Sequence, residues 1–138
     1  MTLAPRLALA QEYWTNAQRA LGQGESGKAA ELTWGFVAQL LKRASAGLLN
    51  FDAREHRDLF TAAKRFTAMT GDPYYTRTVG QLGELHRNFY EGELDGDTVR
   101  MYAGDAWLFG VRLEELIATT ASGLPPTGDG QSPRGGKA

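Results

Sequence analysis

Leu3, Leu7, Ala10, Trp14, Ala17 and Leu21 recur at alternating four- and three-residue steps, with Tyr13 and Ala20 widening the stripe. That period predicts an amphipathic first helix, with Pro5 tolerated in its first turn and Gly22-Gln23-Gly24 as its stop. The longest apolar-periodic run follows, from Ser26 to Leu49. At about 100° per residue, Leu32, Phe36, Leu40, Val37, Leu41 and Trp34 share one broad face. Lys28, Glu31, Gly35, Gln39 and Lys42 occupy the narrow remainder. A helix this widely apolar has to be covered on several sides, which places it at the centre of a bundle. Asp52-Ala-Arg-Glu55 reads as a capping box opening a third helix, with Leu59, Phe60, Ala63, Phe66 and Met69 inward and a stop at Gly71. Asp72-Pro73 is a cap followed by proline at the first helical position. The fourth helix therefore starts there and runs to about Gly92, burying Tyr75, Val79, Leu82, Leu85 and Phe89. Asp95-Gly96-Asp97 caps a fifth, from Thr98 to about Thr120, whose main apolar face carries Val99, Ala106, Phe109, Leu113 and Ile117.

No strand-like alternation interrupts this series, and the short connections force neighbouring helices antiparallel. The fold class is all-α: an antiparallel bundle of about five helices over residues 1–121. From Ser122 to Ala138, Gly, Pro, Ser and Thr dominate and no large apolar residue follows Leu124. Such a tail cannot offset its ordering entropy and is expected to be disordered.

Composition narrows the function classes. A chain of 138 residues is long enough to bury one core without staples. The net charge of −1 gives no global attraction to nucleic acid or anionic membranes. There is no cysteine, hence no disulfide framework, thiolate nucleophile or zinc knuckle, which suits a reducing cytoplasm. The apolar run before Ala8-Leu9-Ala10 is too short for a signal peptide and is broken by Pro5 and Arg6. No window has the uninterrupted apolar length of a membrane span, so a soluble cytoplasmic protein is expected. Charge is uneven: residues 41–70 carry six Lys or Arg against three acids, and residues 81–120 carry eight acids against three Arg. The first stretch could form a basic patch toward a phosphate backbone, although no stacking aromatics interleave with it.

Few residues suggest chemistry. Gly22-Gln-Gly-Glu-Ser-Gly27-Lys28 matches a phosphate-loop spacing, but a helix precedes it and Ala29 stands where magnesium needs a hydroxyl. It reads instead as a glycine stop followed by a serine cap. His56 and His86 are the only two histidines. They fall on different helices without metal-ligand spacing, so no metal site and no cofactor is expected. His56 reads as a solvated first-turn residue. His86 lies inside the apolar face of the fourth helix, where a histidine is ordinarily a hydrogen-bonded core residue.

Lys28-Ala-Ala-Glu31-Leu-Thr-Trp34-Gly35, followed by Leu85-His86-Arg87-Asn88-Phe89-Tyr90-Glu91, resembles the PaREP-type branch of HEPN-like helical proteins over roughly residues 8–118. The resemblance implies a helical bundle, commonly dimeric, in a superfamily that includes RNA-cleaving toxins and nucleotide-associated modules. Its nuclease members carry Arg, four to six residues, then His. The corresponding positions before His86 hold Val79, Gly80 and Gln81, those before His56 hold Leu49, Asn50 and Phe51, and the nearest arginine, Arg77, stands nine residues before His86. The nuclease pair is therefore not expected, and no catalytic residue is assigned.

Two features point to association. Gly35 interrupts the central helix, where glycine costs roughly 1 kcal/mol against alanine, so a helix or small ligand is expected to approach there. The fifth helix carries a second apolar face, Met101, Gly104, Trp107, Leu108 and Val111, which a peripheral helix would leave exposed. The alternative is that the first helix folds over it. The leading expectation is a non-catalytic association module, a homodimer or a binder of a protein partner, with Gly35 and that second face as the interface. The competing one is a divergent RNA-binding or RNA-cleaving protein using His86, Asn88 and Tyr90, so nucleic acid stays a possible partner.

Overall fold

A computed structural model describes residues 4–91 and 94–121, leaving aside the side chains at 4–5 and 88–91. Leu3, the Asn88, Phe89 and Tyr90 side chains, the expected end of the fourth helix at Gly92 and the 122–138 tail lie outside the described residues. Five α-helices appear in the expected order: α1 Ala4–Gly22, α2 Ser26–Ala44, α3 His56–Thr70, α4 Tyr74–Glu91 and α5 Gly96–Ala121. There is no strand among the described residues.

The broad apolar face of α2 makes it the centre. Ala29, Ala30, Trp34, Phe36, Val37, Leu40 and Leu41 are all buried, and α2 meets α1, α3, α4 and α5. Ala10, Ala17 and Ala20 of α1 are buried on α2, small side chains that let the two axes approach closely. Phe66, Leu82, Leu85, Phe109 and Leu113 supply the fully buried bulk from α3, α4 and α5. Two hydroxyls inside α2 and its extension are satisfied by the preceding turn, Thr33 Oγ1 donating to the Ala29 carbonyl at 2.8 Å and Ser45 Oγ to the Leu41 carbonyl at 2.7 Å. The chain then widens into a π turn over Ser45–Leu49 and leaves the helix at Asn50, which is left-handed with φ 50°.

Helix ends follow local chemistry. Gly24 and Gly71 take the positive φ that closes α1 and α3, a conformation glycine adopts without steric cost. Asp72 Oδ1 accepts the Tyr74 N–H at 2.9 Å at the start of α4, and Asp95 Oδ1 accepts the Thr98 N–H at 2.9 Å at the start of α5. Two caps differ from expectation. The residue before α2 is Glu25, whose side chain makes no cap bond, rather than a capping Ser26. The capping box of α3 is Glu55 with Asp58, not Asp52 with Glu55. Asp58 Oδ2 accepts both the Arg54 and Glu55 N–H groups at 2.9 Å, Glu55 itself is extended, and Ala53 ahead of it is buried. The helix therefore begins at His56, three residues later than Asp52 would start it.

Long-range ion pairs fix α5 against its neighbours. Arg43 of α2 grips Glu114 in a bidentate contact, Nε to Oε2 at 2.9 Å and Nη2 to Oε1 at 2.6 Å. Arg112 donates to Asp72 Oδ2 at 2.7 Å and lies 4.2 Å above the Tyr74 ring. Several cations of the basic stretch from 41 to 70 already have partners within the chain. Arg43 is committed to Glu114, Arg54 and Arg57 pair with Asp52 and Glu55, and Arg65 stacks on Phe51.

Candidate functional site

The two histidines, separate in sequence, meet in space. His86 from α4 and His56 at the first position of α3 lie with ring centroids 4.8 Å apart. Trp34 of α2 underlies both, at 5.2 Å from His56 and 6.3 Å from His86, and Phe60 closes the cluster 5.2 Å from His56. His86 Nδ1 stands 2.9 Å from Glu31 Oε1. A carboxylate accepts, so Nδ1–H of His86 is the donor in this contact. His86 is therefore a half-buried, hydrogen-bonded histidine. His56 stays exposed but is not merely solvated, because its ring packs on its neighbours. Burial, together with the nearby His86 charge, pushes its pKa below the ordinary histidine value, against a smaller opposing pull from Glu31. Among the described residues no three histidine or carboxylate side chains share a geometry that could hold a metal ion.

Sequence reasoning picked out His86 but not His56, Trp34 and Glu31 as its surroundings. Glu31 sat on the polar edge of the α2 wheel and carried no signal of a partner 55 residues away.

The second locus is the outer face of α5. Met101 is 67% exposed, Leu108 60%, Trp107 49% and Val111 40%, four of the six exposed large apolar side chains among the described residues. The apolar surface is therefore concentrated on one helix. Helix α1 covers it only in part: α1 packs mainly on α2 and reaches α5 through Trp14 and through the Leu21 carbonyl, which accepts from Arg100 Nη2 at 3.3 Å. Trp14 sits 4.9 Å from Trp107, which in turn stacks at 6.1 Å on Phe36, 6° from parallel. On either side of this contact the cleft between α1 and α5 stays open. One end, about 460 Å³, is lined by Gln18, Leu21, Arg100 and Gly104. The other, about 380 Å³, has Leu7, Phe36, Leu40 and Val111 as apolar walls and Glu115 at its rim.

The glycines divide between these surroundings. A Cβ on Gly35 would lie 2.7 Å from two ring carbons of Tyr13, so the approach to that glycine comes from α1 within the chain. A Cβ on Gly110 would meet Leu40 and Phe36, while one on Gly104, exposed on the apolar face, would meet nothing within 4 Å. No helix is long and apolar enough among the described residues to cross a membrane.

Residues 5–106 match the model of the archaeal PaREP1/PaREP8 family. No curated protein and no solved structure gives a significant match.

Proposed function

The chain belongs to the archaeal PaREP1/PaREP8 family, and we propose that it is a HEPN-like helical module that acts by protein association through α5. The observation that carries this is the exposed face of Met101, Trp107, Leu108 and Val111 beside an open apolar cleft. Exposed aromatic and methionine side chains rimmed by charge have the composition of an interface centre. Leaving them in water forfeits the roughly 25 cal/mol per Å² that burial of apolar area contributes. The chain works without the Arg-x(4–6)-His nuclease pair and, having no cysteine, is at home in the cytoplasm.

The test is cross-linking in native extract with tagged wild type and Leu108→Asp. Wild type should be recovered in a cross-linked species larger than the single chain, and the variant, folded by circular dichroism, should not. Equal recovery of cross-linked species by both would sink the association reading.

A second reading is favoured by one observation, the His56–His86–Glu31 cluster. A carboxylate-oriented histidine beside a histidine whose pKa is pushed down is an arrangement that general acid–base chemistry uses. We keep divergent RNA binding or cleavage as that alternative. Cleavage of bulk RNA that disappears in His86→Ala would support it, and no binding and no cleavage would remove it.

A further inference from the structure

We infer that the cleft between α1 and α5, on the Glu115 side of Trp107, is a binding site for a small apolar molecule carrying one ammonium group. This goes beyond the association reading and does not depend on it, because Leu108 lies outside the cleft lining.

Three helices build the site. Leu7 and Gln11 of α1 form one wall, Val111 and Ala118 of α5 the other, and Phe36 and Leu40 of α2 the floor. The floor comes close to α5 because Gly110 has no side chain: a Cβ there would stand 2.7 Å from Leu40 Cδ1 and 3.4 Å from Phe36 Cζ. Trp107 closes one end, its ring 4.9 Å from Trp14 of α1 and stacked on Phe36. The volume, about 380 Å³, is that of a site for a small ligand rather than a groove for a whole helix.

Charge gives the site its polarity. Among the described residues no lysine or arginine lines it, and its ionisable groups are Glu114 and Glu115. Arg43 already holds Glu114 in a bidentate contact, whereas Glu115 is exposed at the rim. Arg112 borders Glu115 in a separate small hollow but is committed to Asp72. Glu115 stands eight residues beyond Trp107, about 12 Å along the helix at 1.5 Å per residue. The cleft thus has an aromatic stop at one end, a carboxylate at the other and apolar side chains between. An alkyl chain or ring system of that length fills the apolar part, and its terminal ammonium meets Glu115. A carboxylate head in the same place would face like charge. The opposite end of the cleft differs: Gln18 and Arg100 line it, and Arg100 is engaged by Asp97 and by the Leu21 carbonyl. That end offers neither an unbroken apolar lining nor an uncommitted charge.

Isothermal titration calorimetry of the purified full chain with octylammonium and with octanoate, at low salt, tests the site. Wild type should bind octylammonium more tightly than octanoate, by roughly fivefold. Glu115→Lys should reverse that order. Ala118→Trp, which brings an indole into the cleft from an exposed position, should abolish binding of both probes, with circular dichroism confirming its fold. Leu108→Asp should bind octylammonium as wild type does. Three results would each overturn the site: no saturable binding of octylammonium by wild type, equal affinity for the two probes, or binding that a folded Ala118→Trp leaves unchanged. If Ala118→Trp does not fold, Glu115→Lys decides, and an unchanged preference for octylammonium there overturns the site. Failure of the ligand site while the Leu108-dependent cross-link persists leaves the association reading standing, and loss of that cross-link while octylammonium still binds leaves the site standing without it.

Discussion

The Tyr13 ring lies where a side chain on Gly35 would be, two of its carbons 2.7 Å from the position of a Cβ. Glycine inside a helix ordinarily costs roughly 1 kcal/mol against alanine, and here that cost lets α1 close onto α2. Gly35→Ala should therefore destabilise the protein by about 1–2 kcal/mol, overpacking outweighing the propensity gain. In a Tyr13→Ala background the same substitution should turn neutral or stabilising. Denaturant unfolding of the four proteins measures the coupling, and additive effects would remove the explanation.

Asp72 serves two helices at once. One oxygen caps α4 through the Tyr74 N–H and the other accepts from Arg112 of α5. Its side chain is 9% exposed, so removing the guanidinium takes the cationic partner away from a buried carboxylate. Arg112→Ala should cost roughly 2–4 kcal/mol, including the lost stacking on Tyr74. Asp72→Asn with Arg112→Met should recover part of that loss. A cost under about 0.5 kcal/mol in thermal or denaturant unfolding would place the pair among surface ion pairs of little weight.

Adjacent positions on α5 should respond in opposite ways. Phe109 is fully buried and Leu108 is 60% exposed. Phe109→Ala should lose about 3–5 kcal/mol through the cavity it leaves, while Leu108→Ala should change the stability of the isolated chain by no more than about 0.5 kcal/mol. Unfolding in dilute solution compares them, and a large cost at Leu108 there would mean that it packs within its own chain.

Helix order and the apolar faces were legible in the sequence because periodicity is a local property. Ala10, Trp34, Leu82 and Phe109 each bury as their helical phase demands. The stop at Gly71 and the caps at Asp72 and Asp95 were equally local. The α3 cap was not, because Asp52 and Asp58 both satisfy cap chemistry. The choice fell to Asp58 once Ala53 was buried and the two N–H groups ahead of α3 were aimed at one carboxylate. The histidine cluster was invisible for another reason. His56 begins α3 and His86 lies late in the antiparallel α4, so their contact depends on how far the two helices slide past each other. No residue spacing encodes that slide. The outer α5 face was readable as apolar, but its exposure depended on whether α1 lay along α2 or over α5. The small side chains of Ala10, Ala17 and Ala20 favour close approach to α2.

Acid stability should show two separate windows. The His56 pKa is pushed below its ordinary value of 6.5 by burial and by His86, with Glu31 opposing. Protonating His56 is therefore harder in the folded protein than in the unfolded chain. The unfolded state binds more protons between the two values, so stability rises with pH across that interval. Read downward, the His56 contribution is unchanged above about pH 7, begins to fall near 6.5 and is fully lost below the folded His56 value. Asp58 and Asp95 act later. Backbone N–H groups hold both carboxyls below their ordinary 3.8, so their contribution persists above that value and disappears as pH falls through the lower folded values. His56→Gln should flatten the first window and leave the second in place. Chemical denaturation at a series of pH values gives the stability curve, and NMR titration of the His56 ring gives its pKa directly. A His56 that titrates above 6.5, or a first window that survives His56→Gln, would show that the packing against His86 and Trp34 does not govern its protonation.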